Sequence, residues 1–112
     1  MKHLIYICLF AMTSLGMTIP DSGVCGVEFN ASFNSSNSVD WIDELSDCKG
    51  KRVDILTNPE LQKEHKIVVV PTVIVFNDGE EVERFQANIM MQLEATKDEV
   101  QEAVDEIIMS AF

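Results

Sequence analysis

Basic side chains are scarce in this chain: eight Lys and Arg stand against nineteen Asp and Glu, a formal charge of −11 at pH 7 over 112 residues. A surface of that sign repels phosphate backbones and anionic headgroups, so nucleic acid is not an expected partner. Histidine is nearly absent, at two, and cysteine is limited to three. With one His and two separated Cys beyond the N-terminus, a zinc site of ordinary spacing is excluded, and neither metal nor cofactor is expected. Five glycines and three prolines rule out a collagenous chain. No apolar run approaches the ~18 residues of a membrane-spanning helix, and no internal repeat or low-complexity stretch is present. What is there is ordinary, 46% hydrophobic and 24% charged, enough for one domain with a single core.

Met1-Lys2-His3 carries the only basic charge ahead of Lys49, and an uninterrupted apolar stretch from Leu4 to Met12 follows it. That layout, closed by the small residues of Ser14-Leu15-Gly16, predicts a signal peptide over residues 1–16 with cleavage near Gly16. A segment 17–23 then leads into a domain over 24–112, and no stable membrane span is left after signal removal. The protein is accordingly expected to be secreted or periplasmic. The competing reading makes residues 4–10 a first β-strand in a cytoplasmic chain, because short apolar runs are ambiguous. Removal of the signal takes Cys8 and leaves Cys25 and Cys48, an even pair in an oxidising compartment. A Cys25–Cys48 disulfide is geometrically reasonable, since a β-α-β crossover returns both to one end of the sheet. Two inert buried thiols fit equally well.

Along the domain, Val24 to Phe29 reads as a buried strand with Glu28 its odd residue. The polar cluster Asn34 to Ser38 offers helix caps, and Val39, Ile42 and Leu45 recur at helical spacing, predicting a helix of about ten residues. Lys49-Gly50-Lys51 ends it, and Arg52 to Leu56 makes a second strand. Asn58-Pro59 opens a short helix toward His65. Ile67 to Phe76 is β-branched and predicts a central strand whose start is set by Pro71, which cannot donate to a ladder. Asn77-Asp78-Gly79 is a hairpin turn, and Glu80 to Gln86 returns as an edge strand. Thr96 and Glu99 form a capping box ahead of a helix with an apolar stripe of Val100, Ala103, Val104, Ile107, Ile108 and Ala111.

The resulting order β-α-β-α-β-β-α, with its third strand opening at Val70-Pro71-Thr72, resembles the thioredoxin fold. Pro71 to Gly79 is similar to that family's stretch from its cis-proline through the hairpin turn, and Glu28-Phe29-Asn30-Ala31-Ser32-Phe33 to the segment that enters its redox motif. The resemblance covers about residues 24 to 109 and implies an α/β domain with a central mixed four-stranded sheet flanked by helices, five-stranded if an N-terminal strand is retained. The departures lie at the chemistry. Asn34-Ser35-Ser36-Asn37 stands where the family has Cys-Gly-Pro-Cys, and disulfide exchange needs one thiolate to attack and a second to resolve. Asn30 and Phe33 replace usual tryptophans, and Ala87 a common glycine. The stretch from Asn37 to Asn58 is short by about two helical turns, while Asn88 to Ala95 is long.

Neither Cys25 nor Cys48 is expected to reach the tip of the first helix, where the dipole activates the family's nucleophile. Ser35 and Ser36 lack a base, since His65 belongs to another helix and reads as a partly buried core residue. The resemblance implies a cis peptide bond before Pro71 and a peptide groove formed by Phe33, Val70, Pro71 and Thr72, with the Val70 backbone free to pair with an extended segment. Retention of Pro71 for fold geometry alone fits as well. Glu28 matches the family's buried acid and has no thiol to serve, so burial would direct it to Asn37 or to water. Asn34 and Asn37 are expected to cap the helix. The apolar Asn88 to Leu93 loop is expected to tuck under the core, with a binding lip as the alternative. Asn30-Ala31-Ser32 and Asn34-Ser35-Ser36 are glycosylation sequons that matter in a eukaryotic secretory pathway, where a glycan on Asn34 would block the groove.

These observations predict a non-enzymatic, redox-inactive binding module whose partner is a protein or an extended peptide. Two rivals remain: a divergent thiol-disulfide oxidoreductase using Cys25 or Cys48, and a structural subunit that assembles through Ile89 to Leu93.

Overall fold

In the computed structural model, residues 18–112 are described; the expected signal peptide, and the alternative strand over 4–10, lie outside them. Four strands form one sheet: β1 (Val24–Asn30), β2 (Lys49–Asp54), β3 (Thr72–Asn77) and β4 (Glu80–Gln86), in the spatial order β2-β1-β3-β4. β1 runs parallel to β2, and the other neighbours are antiparallel. Two α-helices accompany them, α1 (Pro59–Glu64) and α2 (Lys97–Ser110).

β1 and β3 are central, and their side chains are buried on both faces, which is why they read as near-continuous apolar runs. Cys25, Val27, Phe29, Ile74 and Phe76 build one core layer, closed by Ile67 and by Leu61 of α1. Val73 and Val75 build the other, against Val100, Ala103 and Val104 of α2. Thr96 accepts the Glu99 backbone N–H and Glu99 reaches back to Thr96, so α2 begins on the expected capping box. Its stripe ends before Ala111, which is exposed at the C-cap. Pro71 stands immediately before β3. The Asn77-Asp78-Gly79 turn holds Asp78 and Gly79 at φ of 53° and 82°.

The expected helix after β1 is not formed. Its place is taken by two short 3-10 turns, Ser32–Asn37 and Ile42–Glu44, and β2 begins at Lys49 rather than Arg52. Two cross-strand pairs account for this. Gly26 faces Gly50 in the β1–β2 register and leaves a bare patch on the sheet. The backbone of the second turn lies directly on it: a Cβ added at Gly50 would stand 2.1 Å from the Ile42 carbonyl oxygen. A helix carries its backbone a full side-chain layer away from a sheet and cannot make that approach. The pair Glu28 and Arg52 holds Val39, whose N–H donates to Glu28 Oε2 at 2.8 Å while its carbonyl accepts from Arg52 Nη1 at 2.6 Å. Both backbone groups that a helix would bond internally are thereby satisfied across the sheet. The residues of the crossover add little resistance, since Ser38, Val39, Asp40, Trp41 and Asp43 are all indifferent helix formers. Ile42 and Leu45 still bury themselves in the core, so the spacing marks the buried residues correctly but not the backbone form.

Candidate functional site

The first 3-10 turn carries Asn34-Ser35-Ser36-Asn37 at the end of β1. Its capping position is Ala31, and neither Asn34 nor Asn37 caps a helix, contrary to expectation. Asn34 is buried at a kink in the turn, with φ −114° and ψ 20°, and its side chain acts as a junction. Asn34 Nδ2 donates to Asn30 Oδ1 and to the Met91 carbonyl, each at 3.1 Å, and more weakly to the Val70 carbonyl at 3.4 Å. Its Oδ1 accepts from Asn37 Nδ2 at 2.9 Å. Asn30 completes the network by donating to the Asn34 carbonyl and to Ser38 Oγ. One amide thus ties the end of β1 to the loop before β3 and to the loop after β4. A buried amide needs such partners, and here both ends of the side chain have them. Because the Nδ2 groups of both sequon asparagines are buried and engaged, neither Asn30 nor Asn34 accommodates a glycan in this fold.

Val70 and Pro71 are joined by a cis peptide bond. Thr72 is buried and its hydroxyl donates to the Val69 carbonyl at 2.7 Å, while the Pro71 carbonyl accepts the Ala87 N–H at 3.1 Å. No acceptor for the Val70 N–H is found among the described residues. Beside this turn opens a cleft of about 280 Å3, lined by Phe33, Ile55, Val68, Val70, Ile89 and Met91 among others. Of the expected groove residues the structure brings Phe33 and Val70 to the cleft wall, while Pro71 and Thr72 are fully buried and do not line it.

The Asn88 to Leu93 loop forms the outer wall and is not tucked under the core as expected. Asn88 organises it, its Oδ1 accepting the N–H groups of Met90 and Gln92, and Met91 adopts φ 58°. This geometry turns Ile89 and Met90 outward, and Ile89 is 99% exposed. Phe33 and Val68, which line the same cleft, are also exposed, at 69% and 78%. Ile89 belongs to the loop whose alternative reading is a binding lip, whereas Val68 carries no distinctive sign in the sequence, since it belongs to an apolar run that ordinarily indicates burial.

The remaining candidates lie apart from the cleft. Glu28 is fully buried and pairs with Arg52 and the Val39 N–H, not with Asn37. Ser35 and Ser36 are exposed. His65 follows α1 and packs between the rings of Phe29 and Phe76, at centroid distances of 5.7 and 5.1 Å, as a core residue. Cys25 and Cys48 are both free thiols. Cys25 faces Lys49 in the β1–β2 register and belongs to the layer with Val27 and Phe29, whereas Cys48, one residue before Lys49, packs with the other layer. The two thiols thus pack in opposite core layers and are not bridged. Burial pushes the Cys25 thiol up, partly offset by Lys51 and Lys49. Burial and the neighbouring Cys25 push Cys48 up as well, with a hydrogen bond from the Gly26 backbone opposing. Among the described residues, no cluster of His, Cys, Asp and Glu is arranged to hold a metal, and no helix is long and apolar enough to cross a membrane.

A mixed sheet in the order β2-β1-β3-β4, with a cis-proline opening β3, defines an α/β domain of the sheet-and-flanking-helix kind. No family model and no curated protein matches the sequence. Among solved structures the chain is similar to a mutant thioredoxin from Halobacterium salinarum, at 23% identity and TM-score 0.60, covering 77% of this chain and 75% of that one. It is similar also to Schistosoma mansoni thioredoxin, at 17% identity and TM-score 0.60, covering 88% and 85% of the two chains. Fasciola hepatica thioredoxin matches at 20% identity and TM-score 0.55, covering 77% and 83%. At such identities the likeness is one of fold, and the chain has the thioredoxin fold.

Proposed function

We propose that this protein is a secreted or periplasmic binding module that takes an extended, apolar protein segment in the cleft beside Pro71 and carries out no thiol-disulfide exchange. The observation that carries the reading is the juxtaposition of an uncharged cleft with the Val70 N–H. An extended segment laid along Val69-Val70 would complete that donor by strand-like pairing and place a side chain among Phe33, Val68 and Ile89. The Val70 carbonyl is already engaged by Asn34, so the pairing relies on the N–H and on side-chain burial.

Absence of redox chemistry is supported by the position of sulfur. The thiols of Cys25 and Cys48 are held toward their neutral forms, away from Asn34-Ser35-Ser36-Asn37, and exchange requires an accessible thiolate. Selection of a random peptide display library on the protein, followed by titration of the enriched peptides, tests the binding reading. Enriched sequences should be apolar and lose at least tenfold in affinity on Val68→Asp, a change at an exposed position. Absence of enrichment on protein kept monomeric, or indifference to Val68→Asp, refutes it. Insulin reduction by dithiothreitol, compared with a thioredoxin, should show no acceleration; acceleration abolished by replacing Cys25 and Cys48 with Ser establishes the oxidoreductase instead. N-terminal sequencing of the exported protein should begin near Met17.

A further inference from the structure

The apolar surface around the cleft is larger than one bound side chain needs. Phe33, Val68, Ile89, Met90 and Met91 are all exposed, Met90 at 68%. Their exposed surface, backbone included, is on the order of 700 Å2, comparable with the ~800 Å2 that each partner of a standard interface buries. None of the residues lining the cleft is ionisable, although the chain as a whole carries −11. Two copies of so acidic a chain repel one another over most orientations, and the uncharged cleft, with Glu94 on the Asn88 side chain as a carboxylate at its rim, is a face where that repulsion is reduced. The patch also contains its own complement. Ile89 and Met90 project beside a cleft of about 280 Å3, so a two-fold arrangement lets the knob of each copy enter the hollow of the other.

We propose that the chain forms a two-fold symmetric dimer through this face, Ile89 and Met90 of each copy seated against the partner's cleft between Phe33 and Val68. Such a dimer covers the groove, so self-association and capture of an extended segment are mutually exclusive. The inference stands on surface area and charge, independently of the peptide reading.

Sedimentation equilibrium of the full chain over low to high micromolar concentration tests it. The expected result is a concentration-dependent mass reaching twice that of the chain, with association tightening several-fold as salt rises, because salt screens repulsion between two acidic bodies and leaves apolar burial intact. Ile89→Asp and Met90→Asp should each shift the chain to monomer with unchanged circular dichroism, since both side chains are exposed and hold nothing in the core. Val82→Asp, at an exposed position on β4, should leave the dimer intact. A monomer at all concentrations overturns the proposal. So does a dimer that survives both loop substitutions, or one that only Val82→Asp dissociates. Peptide selection repeated on the monomeric Met90→Asp protein separates the two readings: enrichment there supports segment binding whatever the association state, and its absence refutes segment binding alone.

Discussion

Glu28 and Arg52 stand opposite one another across β1 and β2, and the Arg52 guanidinium donates to the Glu28 carboxylate at 2.7 Å. The carboxylate is fully buried and the guanidinium partly exposed, so the pair joins the core to the surface at the point where the chain crosses from one strand to the next. Between them they hold the backbone of Val39, which makes the pair an anchor for the crossover as well as a charge partnership.

Removing Arg52 should therefore destabilise the protein more than a surface ion pair would. Arg52→Met leaves a buried carboxylate with one hydrogen bond, and the partial exposure of the site reduces the penalty from the fully buried case to about 1–3 kcal/mol. Urea unfolding at neutral pH measures it. A midpoint unchanged from wild type would mean that the crossover does not depend on this pair.

Gly50 and Gly26 predict a graded pair of losses. Alanine at Gly50 meets backbone, the Ile42 carbonyl, which moves only if the second turn lifts from the sheet. Alanine at Gly26 meets the end of the Leu45 side chain at 2.9 Å, which can rotate. Overpacking of a fixed contact costs about 2–3 kcal/mol or more, and of a yielding one distinctly less. The order of thermal unfolding should be wild type, Gly26→Ala, then Gly50→Ala, from most to least stable, and a reversal of the two variants contradicts the close approach.

Restoring sulfur should not restore chemistry. With Asn34 and Asn37 both replaced by Cys, the thiols would sit in a 3-10 turn with no α-helix behind it, so no extended helix dipole lowers the pKa of the first. Because position 34 is buried, the first thiol of the double variant is expected to titrate at or above the ordinary thiol value of about 8.5, by absorbance of the thiolate, and the variant to reduce insulin far more slowly than a thioredoxin. A markedly acidic thiol would show that this turn activates sulfur without a helix.

The native thiols give the fold a pH dependence of known sign. Burial raises Cys25 and Cys48 in the folded state, so the folded protein favours their protonated forms. Their contribution is complete below the unfolded thiol value of about 8.5 and is lost as pH rises through the higher folded values. Urea midpoints should fall above that pH, and Cys25→Ala should show a shallower fall. Equal slopes in the two proteins would place the alkaline sensitivity elsewhere.

What is legible along the chain is what neighbouring residues decide among themselves. The Asn77-Asp78-Gly79 turn, the Thr96–Glu99 box and the start of β3 after Pro71 each rest on groups within a turn of one another, and each is found where the local chemistry places it. The absence of sulfur from Asn34-Ser35-Ser36-Asn37 is likewise a matter of composition alone. The crossover between β1 and β2 departs from its local pattern because its form is decided by register. Only when Gly26 meets Gly50 and Glu28 meets Arg52 does the sheet offer a bare patch and a charged grip, and these outweigh the helical spacing of Val39, Ile42 and Leu45. Packing also sends Cys25 and Cys48 to opposite core layers, and it is long-range folding that carries the Asn34 amide to the carbonyls of Val70 and Met91. Spacing and propensity act over a few residues, whereas these contacts join positions tens of residues apart, so only the assembled sheet could decide them.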